Sequence, residues 1–304
     1  METTKKTIYS PDITCGSCVK VLSKLFEHTN GIENFSISVT SSAIEIEYDP
    51  TLLSEEQLLQ LIHNKGYRAS FSIFGRKTFS DRCKDFFQNK EKYALEYTML
   101  RYSGFSFLLL FLIQAIVWKT VFGGDITLLT AKAWWILYLD IAVVALGAAL
   151  WHFHAYKTEV PCMVGMMVGM TFGMQSGMII GTIIGATNGM FIGSVVGVLV
   201  GVIVGALNGK CCGIMGIMEG MMAGVMGGTM GPMIAVMMQF DRLLWFMPFF
   251  MLVNLFILWG LSYMLYEEVV EEKPTVEKQP LDFMTFFSFC LVSVILFVFI
   301  IFFI

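Results

Sequence analysis

The chain has 304 residues, of which 56 % are hydrophobic and 14 % charged, with a formal net charge of −4 and a mean hydropathy of +0.69. Soluble domains carry roughly 25 % charged residues, so a wholly soluble protein is excluded. The net charge says little because the charges are segregated: residues 1–101 have ordinary globular composition, and residues 102–304 are mostly apolar runs. This pattern predicts a small soluble domain followed by a polytopic membrane domain.

The N-terminus, METTKKTIYS, lacks the apolar core of a signal peptide, so the soluble domain is expected to stay in the cytosol. Residues 1–75 read as an α+β, ferredoxin-like βαββαβ domain. Lys5–Tyr9 is a short strand. From Cys18 to Glu27 the helical spacing puts Val19, Leu22, Leu25 and Phe26 on one side. Ile37 and Val39 alternate with serines, and Ile44 and Ile46 with Glu45 and Glu47, as in half-buried strands joined at Ser41-Ser42. Ser54-Glu55-Glu56-Gln57 is a capping box that opens a second helix, which Gly66 ends. Tyr67–Ile73 is the expected last strand. Residues 76–102 form a basic linker, expected to lie on anionic lipid.

The region 103–304 is rich in methionine and glycine and predicts an all-α membrane domain of about seven helices, each needing about 20 apolar residues to cross. The expected spans are Ser103–Phe122, Ala133–Trp151, two within Pro161–Asn208 with a turn near Thr187-Asn188-Gly189, Gly213–Met238, Leu243–Tyr266 and Phe283–Ile304. With the N-terminus inside, eleven Lys/Arg fall on the inner side and three on the outer. This places the C-terminus outside.

Cys15 and Cys18 stand between the first strand and the first helix, in Ile13-Thr14-Cys15-Gly16-Ser17-Cys18. Seven cysteines is an odd number, and this pair is too close to staple a domain together. In a reducing compartment it is a metal or redox site. Two thiolates two residues apart suit Cu(I) in near-linear coordination, and a helix N-terminus favours the thiolate form. A thioredoxin-like redox pair is the competing reading. Together with the βαββαβ pattern and Gly66-Tyr67, the motif resembles the heavy-metal-associated domain of copper chaperones and of copper-transporting P-type ATPases, over about residues 3–73. The resemblance implies Cys15 and Cys18 as ligands and Tyr67 as a shielding residue. The chain departs from the usual Gly-Met-x-Cys-x-x-Cys by carrying Asp12 and Ile13, and Ile13 is expected to plug the core beneath the loop. Family members that prefer Zn(II) usually place an acid before the first cysteine; Thr14 stands there, which favours Cu(I).

Thirteen glycines occupy every fourth position from Gly165 to Gly213, and 16 of the 22 methionines lie between residues 163 and 238. Glycine at this spacing lets helix backbones approach closely in lipid, within the chain or between copies of it. The methionines are either gap-fillers or soft ligands along a Cu(I) path. The path reading names Met166, Met170, Met174 and Met178, then Met215, Met218, Met222, Met226 and Met230. At the expected inner end lie Cys211 and Cys212, which resemble the cysteine pair of mercuric-ion importers and are candidates for receiving the metal. Cys162, His152 and His154 are further candidates there. Glu219 is an ionisable side chain within a span, a functional hypothesis by default.

The expectation is a Cu(I) transport or homeostasis protein. The cytosolic domain would exchange metal with a methionine path, exporting copper without ATP hydrolysis, since neither an Asp-Lys-Thr-Gly-Thr nor a Gly-x-x-x-x-Gly-Lys-Ser/Thr motif is present. A copper sensor, an assembly or delivery factor, and a mercuric-ion or copper importer are the alternatives. The implied partners are membrane lipid, copper ions, a copper chaperone or acceptor protein, and a second copy of the chain. No nucleic-acid partner and no enzyme activity are expected.

Overall fold

The computed structural model describes residues 4–13, 16–72, 93–121, 126–157, 160, 162–267, 277–278 and 282–303. The described part of the N-terminal region and the bundle of long helices belong to two separate compact units.

The N-terminal unit begins with β1 (Thr4–Tyr9), α1 (Gly16–Glu27), β2 (Ile32–Ser38), β3 (Ala43–Tyr48) and α2 (Glu55–His63). Its sheet is antiparallel, in the order β1-β3-β2, with Ile8 and Ile37 both opposite Ile44. Alternation along β3 sends Ile44, Ile46 and Tyr48 into the core and turns Glu45 away from it. The core also takes Ile13, Cys18, Leu22, Phe26, Leu58 and Ile62. The β2–β3 turn puts Ser42 at φ 49°. The capping box forms: Gln57 N–H donates to Ser54 Oγ at 3.3 Å, and Ser54 N–H donates to Gln57 Oε1 at 3.1 Å.

The expected last strand is reduced. Among the described residues it contributes one antiparallel bridge, Tyr9 with Ser70, whose backbones exchange bonds of 2.8 and 3.1 Å. Ile73 lies outside the described residues. Among the described residues the sheet thus has three strands, with this bridge at the free edge of β1. Residues 76–92, most of the linker, also lie outside the described residues, and from Ala94 its last part is already helical.

The second unit contains α3 (Ala94–Val121), α4 (Ile126–Ala155), β4 (Tyr156–Lys157), most of α5 (Cys162–Asn188), α6 (Met190–Gly209), α7 (Gly213–Met237), α8 (Leu243–Leu265), β5 (Glu277–Lys278) and α9 (Phe283–Phe303). Among the described residues, six stretches are long and apolar enough to cross a membrane, against the expected seven. One of them, Met190–Met237, has 48 residues and folds back on itself at a 3-10 turn, Lys210–Cys212, between α6 and α7.

Glycine builds the centre of this unit. Along α6 and α7, Gly197, Gly201, Gly205 and Gly209 lie against Gly228, Gly224, Gly220 and Gly216 in turn. Along α5, Gly185, Gly181, Gly173 and Gly169 meet Gly193, Gly197, Gly205 and Gly209. These registers make α6 antiparallel to both neighbours and α5 parallel to α7. A Cβ on most of these glycines would fall within about 3 Å of another helix's backbone, closer than real side chains come. Gly181 and Gly185 also admit Pro232. At the α5–α6 corner Gly189 takes φ 90°, which favours glycine.

The outer helices report which ends lie together. β4 pairs with β5, and the Tyr93 ring packs, tilted, against that of Tyr266 with centroids 5.0 Å apart. At the other end, Lys132 Nζ donates to the Ile301 carbonyl at 2.8 Å, and Asn188 Nδ2 to the Ile300 carbonyl at 3.1 Å.

Candidate metal centre

The loop between β1 and α1 carries the motif. Thr14 and Cys15 lie outside the described residues, so of the two predicted ligands only Cys18 is described. It sits in the first turn of α1, nearly buried at 8 % exposure, with Sγ 3.6 Å from the Asp12 carbonyl. Ile13 is fully buried and plugs the core beneath the loop as expected. Tyr67 packs, half-buried, against the same core.

Asp12, which departs from the usual motif, has a structural role that sequence reading missed. Its carboxylate is buried and clamps the loop to the segment after α2. The Arg68 backbone N–H donates to Oδ2 at 2.7 Å, and the guanidinium donates to Oδ1 at 2.6 and 3.0 Å. The side chains are 2 % and 9 % exposed. A buried pair of this kind holds only because its lone pairs and N–H groups are hydrogen-bonded. The loop is thereby fixed to the residue next to Tyr67.

In the helical unit, Cys211 and Cys212 lie on the 3-10 turn at the hairpin tip. Their sulfurs are 4.0 Å apart, and Cys211 Sγ is 3.5 Å from the Asn208 carbonyl. Gly165 faces both: a Cβ there would lie 2.5 Å from each sulfur. The first glycine of the ladder thus makes room for two thiols rather than for a backbone. Cys211 is exposed and Cys212 half-buried. Cys162 is exposed at the start of α5.

The methionines divide by helix. Met166, Met174 and Met178 on α5 are half-buried and Met170 is exposed. On α7, Met215, Met218, Met222, Met226 and Met230 are all exposed, on the side away from the glycine contacts. Glycine packing fills the space among α5, α6 and α7, so the α7 row runs along the outside of the unit. The outer face of α6 carries Val195, Leu199, Ile203 and Leu207 instead. Glu219 is half-buried, and among the described residues it makes no ion pair.

His152 and His154 do not join the thiols. His152 is buried, its Nε2 3.7 Å from Glu96 Oε1, while the Tyr156 hydroxyl donates to the same oxygen. Burial first, then the Glu96 carboxylate, pushes the Tyr156 hydroxyl far above the usual phenol range, so it remains a donor. His154 is exposed and bonded through Nδ1 to the Leu150 carbonyl at 2.8 Å. Among the described residues, no three His, Cys, Asp or Glu side chains gather to hold a metal. Sequence reading also missed Glu96 and Asp140, the latter fully buried on α4. For Asp140, a charged residue inside an apolar run was the available signal.

Residues 7–68 match the heavy-metal-associated domain family. Similar curated proteins include the cation-transporting ATPase HMA5 of Oryza sativa subsp. japonica, 25 % identical over 59 residues, and the probable copper-transporting ATPase HMA5 of Arabidopsis thaliana, 33 % over 57. Copper-transporting ATPase 1 of Rattus norvegicus is 37 % identical over 57 residues. Each match covers 19 % of this chain but only 6, 6 and 4 % of the respective relative. No solved structure matches significantly. The likeness ends before the first long helix, and the membrane region remains unassigned to a family. Residues 7–68 are a heavy-metal-associated domain, homologous to those of copper-transporting ATPases.

Proposed function

We propose that this protein moves Cu(I) across a membrane, with its N-terminal domain holding the ion on Cys15 and Cys18 and exchanging it with Cys211 and Cys212. The observation that carries this reading is a heavy-metal-associated domain joined in one chain to a helical bundle that presents two sulfurs 4.0 Å apart. Soft sulfur ligands select Cu(I), and thiol pairs at both stations allow transfer by ligand exchange, without redox chemistry. Transfer continues along thioethers, each a weak neutral ligand. No nucleotide chemistry enters this reading, and the protein is not an enzyme in it.

In this reading α6 and α7 each cross the membrane, giving seven crossings. Helices of 20 and 25 residues span about 30 and 37 Å, enough for the apolar core. The pairing of β4 with β5 supports it, since both strands then fall on one side. The Lys/Arg balance puts that side in the cytosol, with the N-terminal domain inside and the C-terminus outside. Because the α7 methionines face outward, an enclosed methionine path takes a second copy of the chain, whose α7 covers the first. Glu219 favours such cover, because an ionisable side chain facing lipid is costly.

The exposed methionine face also favours a second reading, in which the helical unit presents copper to an acceptor protein without net transport. Metal analysis of the purified chain, with a Cu(I) titration against a competing chelator, tests the common premise. Bound copper that is lost in Cys15→Ser/Cys18→Ser supports it, and a chain that holds only Zn(II), or no metal, rejects it.

A further inference from the structure

Asp140 lies in the apolar interior of α4, eight residues, about 12 Å, from Lys132 and fifteen, about 22 Å, from Ala155. It is fully buried. One oxygen, Oδ1, accepts a 2.7 Å hydrogen bond from Gln114 Nε2 on α3, and Oδ2 has no hydrogen-bond partner among the described residues. A bare carboxylate in such a place costs several kcal/mol and persists only when paired or protonated.

Among the described residues no cation is paired with it. Helix α4 packs against α3, α8 and α9, and among the described residues none of their basic groups pairs with Asp140. On α3, Arg101 and Lys119 are exposed, and Glu96 is engaged with Tyr156 and His152. On α9, the Cys290 sulfur lies by Gly147, two turns along α4 from Asp140. Helix α8 carries no Asp, Glu, Lys, Arg or His, and its titratable side chain is Tyr263. On α4 itself, Lys132 is bound to the Ile301 carbonyl and Tyr138 packs on Trp135. The partner that Asp140 does have is an amide donor aimed at one oxygen, which leaves the other to carry hydrogen.

We propose that Asp140, held by Gln114, is a proton-binding site within the membrane helices and supplies the coupling ion for metal movement. Binding forms an Oδ2–H bond with a proton taken from water and leaves the carboxyl neutral; release returns the proton and restores a negative charge that favours a nearby cation. One proton exchanged per Cu(I) moved the other way keeps the charge balanced. The coupling role rests on the transport reading above; the proton site does not.

Infrared difference spectroscopy of the full chain in lipid, stepped in pH, tests the site without copper. One carboxylic-acid C=O band is expected to be lost in Asp140→Asn. The same band should shift to higher frequency in Gln114→Leu, where the carbonyl loses its donor. Gln114→Leu leaves the carboxyl in place and keeps the test decisive if Asp140→Asn fails to fold. A spectrum in which neither variant alters any protonated-carboxyl band overturns the site. In vesicles, copper-driven proton movement that vanishes in Asp140→Asn supports coupling, and movement equal to the parent's overturns it. A parent that moves no copper defeats the transport reading and with it the coupling role, while the infrared result still decides the site.

Discussion

Replacing Gly201 by alanine tests the glycine core with a single methyl group. A Cβ there would lie 2.8 Å from the Gly224 carbonyl oxygen, 2.9 Å from that of Gly173 and 2.9 Å from the Gly224 Cα, so it presses on two helices at once. Ordinary contacts lie at about 3.5–4.0 Å, and each neighbour is backbone that no rotamer change can move aside. Overpacking of this kind costs about 1–3 kcal/mol. Alanine recovers about 1 kcal/mol of helix propensity over glycine, leaving a net loss of about 0–2 kcal/mol. Gly104 and Gly260 are the controls: both stand inside long helices, and nothing lies within 4 Å of a Cβ at either. Alanine there should be neutral or stabilise by up to about 1 kcal/mol. The three variants are compared by unfolding in mixed micelles titrated with a denaturing detergent. Gly201→Ala should fall below Gly260→Ala by about 1–3 kcal/mol. If it is equally stable or more stable, close backbone contact does not hold these helices together.

Asp12→Ala should destabilise the N-terminal domain by about 3–5 kcal/mol, because the Arg68 guanidinium is left buried without its counter-charge; urea unfolding of the isolated domain measures this, and a loss below 1 kcal/mol would contradict the clamp. With all native cysteines replaced by serine, Met222→Cys and Met226→Cys should form disulfide-linked dimers in membranes while Leu199→Cys does not. Equal linkage at all three positions would mean chance collision, and lipid would then cover the methionine face. In the N-terminal domain, Ser54→Ala should cost about 1 kcal/mol by removing the cap of α2, read in the same urea experiment.

The sequence carried most of the local structure. The capping box at Ser54, the corner at Gly189 and the burial of Ile13 follow from residue chemistry within a few positions, and all are observed. The clamp of Asp12 on Arg68 and the bond from Gln114 to Asp140 join residues 56 and 26 positions apart, and no local pattern announces such pairs. The outward face of the α7 methionines was legible in principle. Met218, Met222 and Met226 each follow a ladder-type glycine by two residues, about 200° around a helix, so they point away from the glycine contacts. On α5 the offset is one residue, about 100°, which sets those methionines beside the seam rather than opposite it: Met166, Met174 and Met178 are half-buried and Met170 is exposed. Among the described residues six apolar stretches appear where seven spans were expected, because hydropathy does not register the turn at Lys210–Cys212, where cysteines and glycines flank a single charge.

Copper flux in reconstituted vesicles bears most directly on the central claim that this protein moves Cu(I) over sulfur ligands. The comparison is between the parent and a variant with Met170, Met174, Met222 and Met226 all changed to leucine. Leucine keeps the apolar bulk and removes only the sulfur, and such swaps usually cost under about 1.5 kcal/mol each. The account predicts that vesicles with the parent move radioactive Cu(I) well above empty vesicles, and that the variant, folded to the same extent, falls to the empty-vesicle rate. Flux in the variant equal to the parent's would make the methionines packing residues, and a parent no faster than empty vesicles would contradict transport itself.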